Sequence, residues 1–203
     1  MRLLVDTDAF CKLAIGGVLD DAVQLLGADL SACGRLPALP YMLRGGKLRK
    51  LFGADMCDSL VPIARCIPAM SPAGDDWLER FIGIPAIDPG DAQIFAVAAE
   101  YGMMVLTGDK RALRALKNVS GIPTALSGRI VVFEAVLLAL CDRLGAAELR
   151  RRIQPLVTSD QVVRICFSNP DSDPYEGLRS YFQHLAAELS PLVLWHPRSR
   201  GGE

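Results

Sequence analysis

Two histidines and six cysteines are all that the 203-residue sequence offers for soft-metal or disulfide chemistry. The cysteines (Cys11, Cys33, Cys57, Cys66, Cys141, Cys166) are scattered, with no C-x-x-C pair and no histidine at zinc-ligand spacing. That excludes a zinc module and a disulfide framework and makes a reduced, cytoplasmic compartment the expectation. Long apolar runs are missing too. The longest, Ile130 to Cys141, is interrupted by Glu134 and falls short of the ~18 residues a membrane span needs. The opening MRLLVDTD puts carboxylates at positions 6 and 8, where a secretory signal needs apolar residues, so neither a signal nor a membrane partner is expected. Net charge is nearly absent, with 22 basic against 23 acidic residues, so partner choice depends on how charge is distributed. Internal repeats and low-complexity tracts are lacking.

What is present is core material. Hydrophobic residues make up 51% of the chain, which excludes intrinsic disorder and suits one well-buried domain with an appendage. Basic residues gather in three places: Arg44, Lys47, Arg49 and Lys50; then Lys110, Arg111, Arg114 and Lys117; then Arg150, Arg151 and Arg152. Each is either a solvated helix face or part of a polyanion-binding surface.

Arg2 to Val5 reads as a buried strand ending at Asp6. Ala9 to Leu26 has helical spacing, weakened at Gly16-Gly17. Tyr41 to Phe52 predicts a basic helix interrupted at Gly45-Gly46, Asp55 to Met70 has mixed features with breaks at Pro62 and Pro68, and Asp76 to Ile82 suits a short helix. The clearest stretch is IDPGDAQIFAVAAEYGMMVLTGDKRAL. Asp88 is placed as a helix cap, Pro89 suits the first turn, Gly102 ends the helix, Met103 to Leu106 follows as a strand, and Asp109 precedes another helix. Strand-helix alternation with fully apolar strands argues for a parallel sheet covered on both faces. Ile130 to Ile153 reads as a long helix, entered through a short strand, and Tyr175 to Leu189 as another. The tail from Pro197 to Glu203 is polar and reads as mobile. Trp77, Trp195, His184 and His196 read as packing or surface residues.

Ligands collect at the carboxyl ends of strands in open parallel sheets. Asp6 and Asp109 fall there, and the helix carrying Asp91 must start at the same rim. Carboxylates crowded together repel, and a hard divalent cation relieves that repulsion. Oxygen-only ligands select magnesium or manganese, which lower the pKa of a bound water and neutralise charge building on a phosphate. Each aspartate also has a plainer role as a helix cap or dipole partner, with Asp8 the better placed to cap the first helix.

The segments LLVDTDAF and IDPGDAQIFAVAAEYGMMVLTGDKRAL together resemble the PIN-domain family, in which an Asp follows the first strand, an acidic residue opens an alanine-rich helix, and T-x-D follows the next strand. The resemblance covers residues 1 to 126. It implies a three-layer α/β/α sandwich with a mostly parallel central sheet, followed over residues 127 to 203 by a C-terminal helical extension packing on that domain or dimerising through it. It further implies a Mg2+- or Mn2+-dependent ribonuclease with Asp6, Asp91 and Asp109 as catalytic and metal-binding residues. RNA would then lie on Arg44, Lys47, Arg49, Lys50, Lys110, Arg111 and Arg114. Many members are toxins held inactive by an antitoxin-like protein partner, and homodimers are common. One departure is visible: the family's further acidic residue has no counterpart in LPALPYMLRGG, and Asp8, Asp55 or Asp58 would have to replace it. A PIN-like module without catalysis, with an interface through Val132, Val136 and Leu140, is the alternative. A third reading takes D-T-D as a haloacid-dehalogenase-like phosphatase motif with Asp6 as nucleophile and Asp8 as acid-base; against it, Gly-Thr does not follow Asp8.

Overall fold

A computed structural model describes residues 2–197. The mobility expected of the tail concerns residues that, from 198 onward, lie outside this range.

Four short strands form one sheet: β1 (Leu3–Val5), β2 (Cys33–Gly34), β3 (Met104–Thr107) and β4 (Ile130–Val132), in the order β2-β1-β3-β4. Every pairing is parallel, with Leu4 opposite Gly34 on one side and Val105 on the other, and Leu106 opposite Val131. The strands are apolar because helices cover both faces, which leaves no wet side for alternation to mark. Single bridges extend the sheet past β2 through Arg35 and Ala69, and past β4 through Ile130 and Leu194, so both edges are masked.

The helices between the strands belong to two packed groups. On one face α1 (Thr7–Ile15) packs with α2 (Leu19–Leu25) and α5 (Ala54–Cys66), and α10 (Phe133–Leu144) lies on α2 and β4. On the other, α7 (Pro89–Tyr101) lies on β3 with α6 (Asp75–Leu78) and α9 (Ile122–Ala125). Right-handed crossovers require α1 and α7 to be on opposite faces, because the connection from β1 to β2 runs one way along the sheet and the connection carrying α7, from β2 to β3, runs back the other way. The chain is thus α/β with an all-parallel sheet, an arrangement compatible with three layers. Two small helices, α3 (Leu39–Met42) and α4 (Gly46–Phe52), follow β2, and α8 (Lys110–Leu116) follows β3.

The breaks fall where glycine lies. Gly17 and Gly46 carry positive φ, which explains the interruptions anticipated at both pairs. Pro62 does not break α5. It lies on the exposed side of a helix that buries Cys57, Leu60, Val61 and Ala64, and that burial offsets the ~3 kcal/mol a helix-interior proline costs.

The region after residue 126 differs most from the sequence expectation. The short strand expected to lead into the helix is β4, but the helix expected to run on to Ile153 is divided into α10 and α11 (Ala146–Ile153). The β-branched Ile130, Val131 and Val132 pair with β3, and Gly145, at φ 84°, separates the two helices. Two further helices, α12 (Gln161–Phe167) and α13 (Pro174–Glu188), close over α10. One hydrophobic core runs without interruption from Leu3 to Leu194. The division at residue 126 therefore cuts the sheet and the core. Val132, Val136 and Leu140 are buried at 1%, 1% and 0% exposure within this core, so the partner interface expected through them is not available. No helix among the described residues is long and apolar enough to cross a membrane.

A fragment ending at residue 126 is therefore expected to lack a cooperative thermal transition, because it loses β4 and α10 together. Circular dichroism melting against the full chain checks this; a sharp two-state melt of the fragment would mean that the first 126 residues are self-sufficient.

Candidate functional site

In the order β2-β1-β3-β4, the chain leaves β1 toward one edge and β3 toward the other. The crevice between the carboxyl ends of these two strands is the switch point at which open α/β sheets bind ligands. Asp6 and Asp109 flank it. Asp6 is tied to β3 by its backbone N–H donating to the Leu106 carbonyl at 2.9 Å. Its Oδ1 accepts from the Thr7 N–H at 2.6 Å, and Oδ2 accepts from the Thr107 hydroxyl at 3.4 Å. The same hydroxyl oxygen accepts from the Asp109 N–H at 3.1 Å. One buried threonine thus joins the Asp6 carboxylate to the Asp109 backbone, which is a physical reason for threonine in the T-x-D pattern. Asp109 caps α8 by accepting from the Ala112 N–H at 2.9 Å.

Asp91 enters from α7. Asp88 caps that helix by accepting from the Asp91 N–H at 2.9 Å, which turns the first helical residues toward the strand ends. Asp91 is 6% exposed, and its Oδ2 is buried with no hydrogen-bond partner. Asp6, Asp8, Asp88, Asp91 and Asp109 all line one cleft of about 740 Å³, with Tyr41, Met42, Leu51 and Lys47 on its other wall.

The crowding is electrostatically costly. Burial, then the charges of Asp91 and Asp8, push the Asp6 carboxyl up to about 7. Burial, then Asp88 and Asp109, push Asp91 up to about 7. Both groups hold their protons more tightly folded than unfolded, where the carboxyl would titrate near its ordinary value.

Asp8 has a different environment. Its Oδ2 lies 2.6 Å from Lys12 Nζ, and Lys12 reaches Asp160 Oδ2 at 2.8 Å. One oxygen of Asp8 is engaged by this pair while the residue still lines the cleft, and the cap of α1 is Asp6, not Asp8 as expected. The pairing needs a close approach by Gly108: a Cβ there would lie 2.6 Å from Asp8 Oδ2. Neither Asp55 nor Asp58 lines the cleft, and Asp58 is held by Arg49 at 2.9 Å. Among the described residues neither of these carboxylates replaces the one missing near Tyr41.

The expected nucleic-acid residues divide. Lys47 and Lys110 line the cleft, but Lys110 Nζ is paired at 2.6 Å with Oε1 of Glu134, a fully buried residue. Arg114 is held by Glu188 and Arg49 by Asp58, so both serve structural pairs. Arg111 is exposed, its guanidinium 3.9 Å from Asp109. Arg44 and Lys50 are exposed, with no ion-pair partner among the described residues. In the third basic cluster, Arg151 pairs with Glu148, Arg152 with Glu148 and Asp21, and Arg150 donates to backbone carbonyls.

Thr107, Lys12, Asp160 and Glu134 were not singled out by the sequence reading. Glu134 carried a usable signal: a lone carboxylate two residues beyond a β-branched run, the same offset by which Asp109 follows Thr107.

Among the described residues no three His, Cys, Asp or Glu side chains converge closely enough to hold one ion together. The donor set nonetheless suits a hard cation. It is all oxygen, one buried carboxylate oxygen lacks a partner, and magnesium is commonly held by one or two carboxylates with waters completing its shell. With no Cys or His lining the cleft, zinc is disfavoured.

The chain matches no protein-family model, no curated protein and no solved structure. The functional reading therefore rests on the geometry just described.

Because Asp6 and Asp91 titrate higher in the folded state, their stabilising contribution is complete below about pH 4 and is lost as pH rises through about 7. Asp91→Asn is expected to leave stability near pH 4 almost unchanged and to raise it by ~2 kcal/mol at pH 8, measured by denaturant unfolding in chelator. A variant equally or less stable than wild type at pH 8 would contradict the raised pKa. Gly108→Ala is expected to push Asp8 off Lys12 and to destabilise the fold by ~1–2 kcal/mol, read in the same experiment.

Proposed function

We propose that this chain is a PIN-like, metal-dependent endoribonuclease. The observation that carries the reading is the buried, unpartnered Oδ2 of Asp91 in the cleft that Asp6 and Asp109 also line at the sheet's switch point. The parallel sheet and the T-x-D junction support the resemblance of LLVDTDAF and IDPGDAQIFAVAAEYGMMVLTGDKRAL to that family. Asp91 with one of Asp6 or Asp109 would hold Mg2+ or Mn2+, waters completing its shell, since the three carboxylates do not converge on one point. Such an ion supplies activation of water and neutralisation of charge on a scissile phosphodiester. The protein's own contribution is orientation and charge. Thr107 fixes the spacing of Asp6 and Asp109, burial excludes competing water from Asp91, and Lys47 places a cation on the cleft wall for a backbone phosphate. Lys110 also lines the cleft, but its charge is committed to Glu134.

A catalytically silent PIN-like binding module is the second reading. It is favoured by Tyr41 and Met42 occupying the wall where the family places a further carboxylate. Cleavage separates the two. With manganese or magnesium, wild type is expected to cut RNA internally, and Asp6→Asn, Asp91→Asn and Asp109→Asn each to lose at least ~100-fold in rate. Manganese is expected to raise the melting temperature of wild type and not of Asp91→Asn. Cleavage surviving all three substitutions would refute the site, and metal-independent melting with no cleavage would favour the silent module.

A further inference from the structure

Beside the acidic cleft, and separated from it by Tyr41, is a second cleft of about 250 Å³ lined by Arg35, Arg44 and Arg65. The three arginines come from separate elements: the bridge beyond β2, the turn between α3 and α4, and the last turn of α5. Among the described residues none has a carboxylate partner, whereas Arg49, Arg114, Arg143, Arg151 and Arg152 do. Arg35 is held in place by neutral groups alone. Its Nε donates to the Ala64 carbonyl at 2.6 Å, and its Nη1 to the carbonyls of Leu36 at 3.0 Å and Pro37 at 3.3 Å. These bonds fix the guanidinium without neutralising it. Arg44 and Arg65 are exposed. Guanidinium groups repel one another, and a planar fork of donors with no carboxylate in reach is matched to phosphate oxygens.

Tyr41 lines both clefts and is 76% exposed. An aromatic ring left in water between an acidic and a basic cleft is a platform on which an unpaired base can stack. Stacking there requires a base freed from its own helix, which a single strand supplies. A small free anion would gain from the arginines but would have no use for the ring.

We propose that the Arg35–Arg44–Arg65 cleft is a phosphate subsite for single-stranded RNA, with Tyr41 stacking a base between that phosphate and the acidic cleft. The subsite deepens the ribonuclease reading, on which the identity of the polymer rests. It also explains why Tyr41 stands on the wall where the resemblance would place a carboxylate: the position serves substrate path instead of metal.

The test is fluorescence anisotropy with a short labelled single-stranded RNA and the full chain in chelator, where cleavage is silent. Arg44→Ala and Arg65→Ala, both at exposed positions, are expected to melt like wild type and to bind about five- to tenfold more weakly. Each is also expected to lower the slope of log affinity against log salt by ~0.7. Tyr41→Ala is expected to lose about tenfold with an unchanged salt slope, and Tyr41→Phe to restore binding. A duplex of the same sequence should bind more weakly and be indifferent to Tyr41→Ala. Arginine variants that bind RNA as wild type does would overturn the subsite while leaving the nuclease reading intact if wild type cuts RNA with manganese. Arginine-dependent binding without any cleavage would uphold the subsite and overturn the nuclease reading. Absence of RNA binding, with inorganic phosphate alone protecting the protein against heat, would assign the cleft to a free anion and overturn the proposal.

Discussion

The parallel pairing of β1 with β3 governs the rest of the molecule. It sets Val5 opposite Leu106, and from that register everything at the carboxyl edge follows. Asp6 emerges beside Thr107, the threonine hydroxyl reaches both Asp6 and the Asp109 backbone, and α1 and α8 start at adjacent points with their caps supplied by the same two aspartates. A one-residue shift of the register would move Thr107 away from Asp6 and leave two buried polar groups unsatisfied, each costing ~1–3 kcal/mol. The strands are three or four residues long at this edge, so that junction holds much of what fixes them.

Charge is sorted within the molecule in a way the near-zero total conceals. Cations near Asp6 and Asp91 are engaged by other carboxylates: Lys12 by Asp8, itself on the cleft, and by Asp160, Lys110 by Glu134, Arg114 by Glu188. Asp6 and Asp91 are left to raise their pKa values, and Arg35, Arg44 and Arg65 are left without carboxylates. The result is an unneutralised acidic cleft and an unneutralised basic one side by side. Buried pairs such as Lys110 with Glu134 add little net stability over an apolar substitute; what they do here is decide which charges stay available.

The sequence carried some of this plainly and hid the rest for definable reasons. Capping chemistry made α7 legible from Asp88 to Gly102, because Asp, Pro and Gly at those positions act locally. Strand ends were legible at Asp6 and Asp109 for the same reason. The short strand leading into the long helix was legible from the β-branched Ile130, Val131 and Val132, whereas the helix was carried too far because a single glycine, Gly145, divides it at positive φ. Asp8 does not cap α1 as expected: its carboxylate is drawn to Lys12, which is itself shared with Asp160, some 150 residues away in sequence, and no local pattern reports that. The basic clusters looked like one surface type, yet among the described residues Arg44, Lys47, Lys50, Lys117 and Arg150 have no carboxylate partner, and Arg111 has only a long one at 3.9 Å. Arg35 and Arg65 escaped notice since they are isolated in sequence and meet only through the path of α3 and α5.

The ties running from α8 to the C-terminal helices also set how the protein can open. Lys110 is clasped by Glu134 of α10, Arg114 by Glu188 of α13, and Lys117 donates to the Glu188 carbonyl at 2.7 Å. Alpha-helical segments that share such clasps and one core tend to exchange their amide protons as a unit. The helices α10 to α13, which resemble an appendage in sequence, therefore act as a backing plate. They cannot lift off without drawing α8, and with it Asp109, out of the cleft.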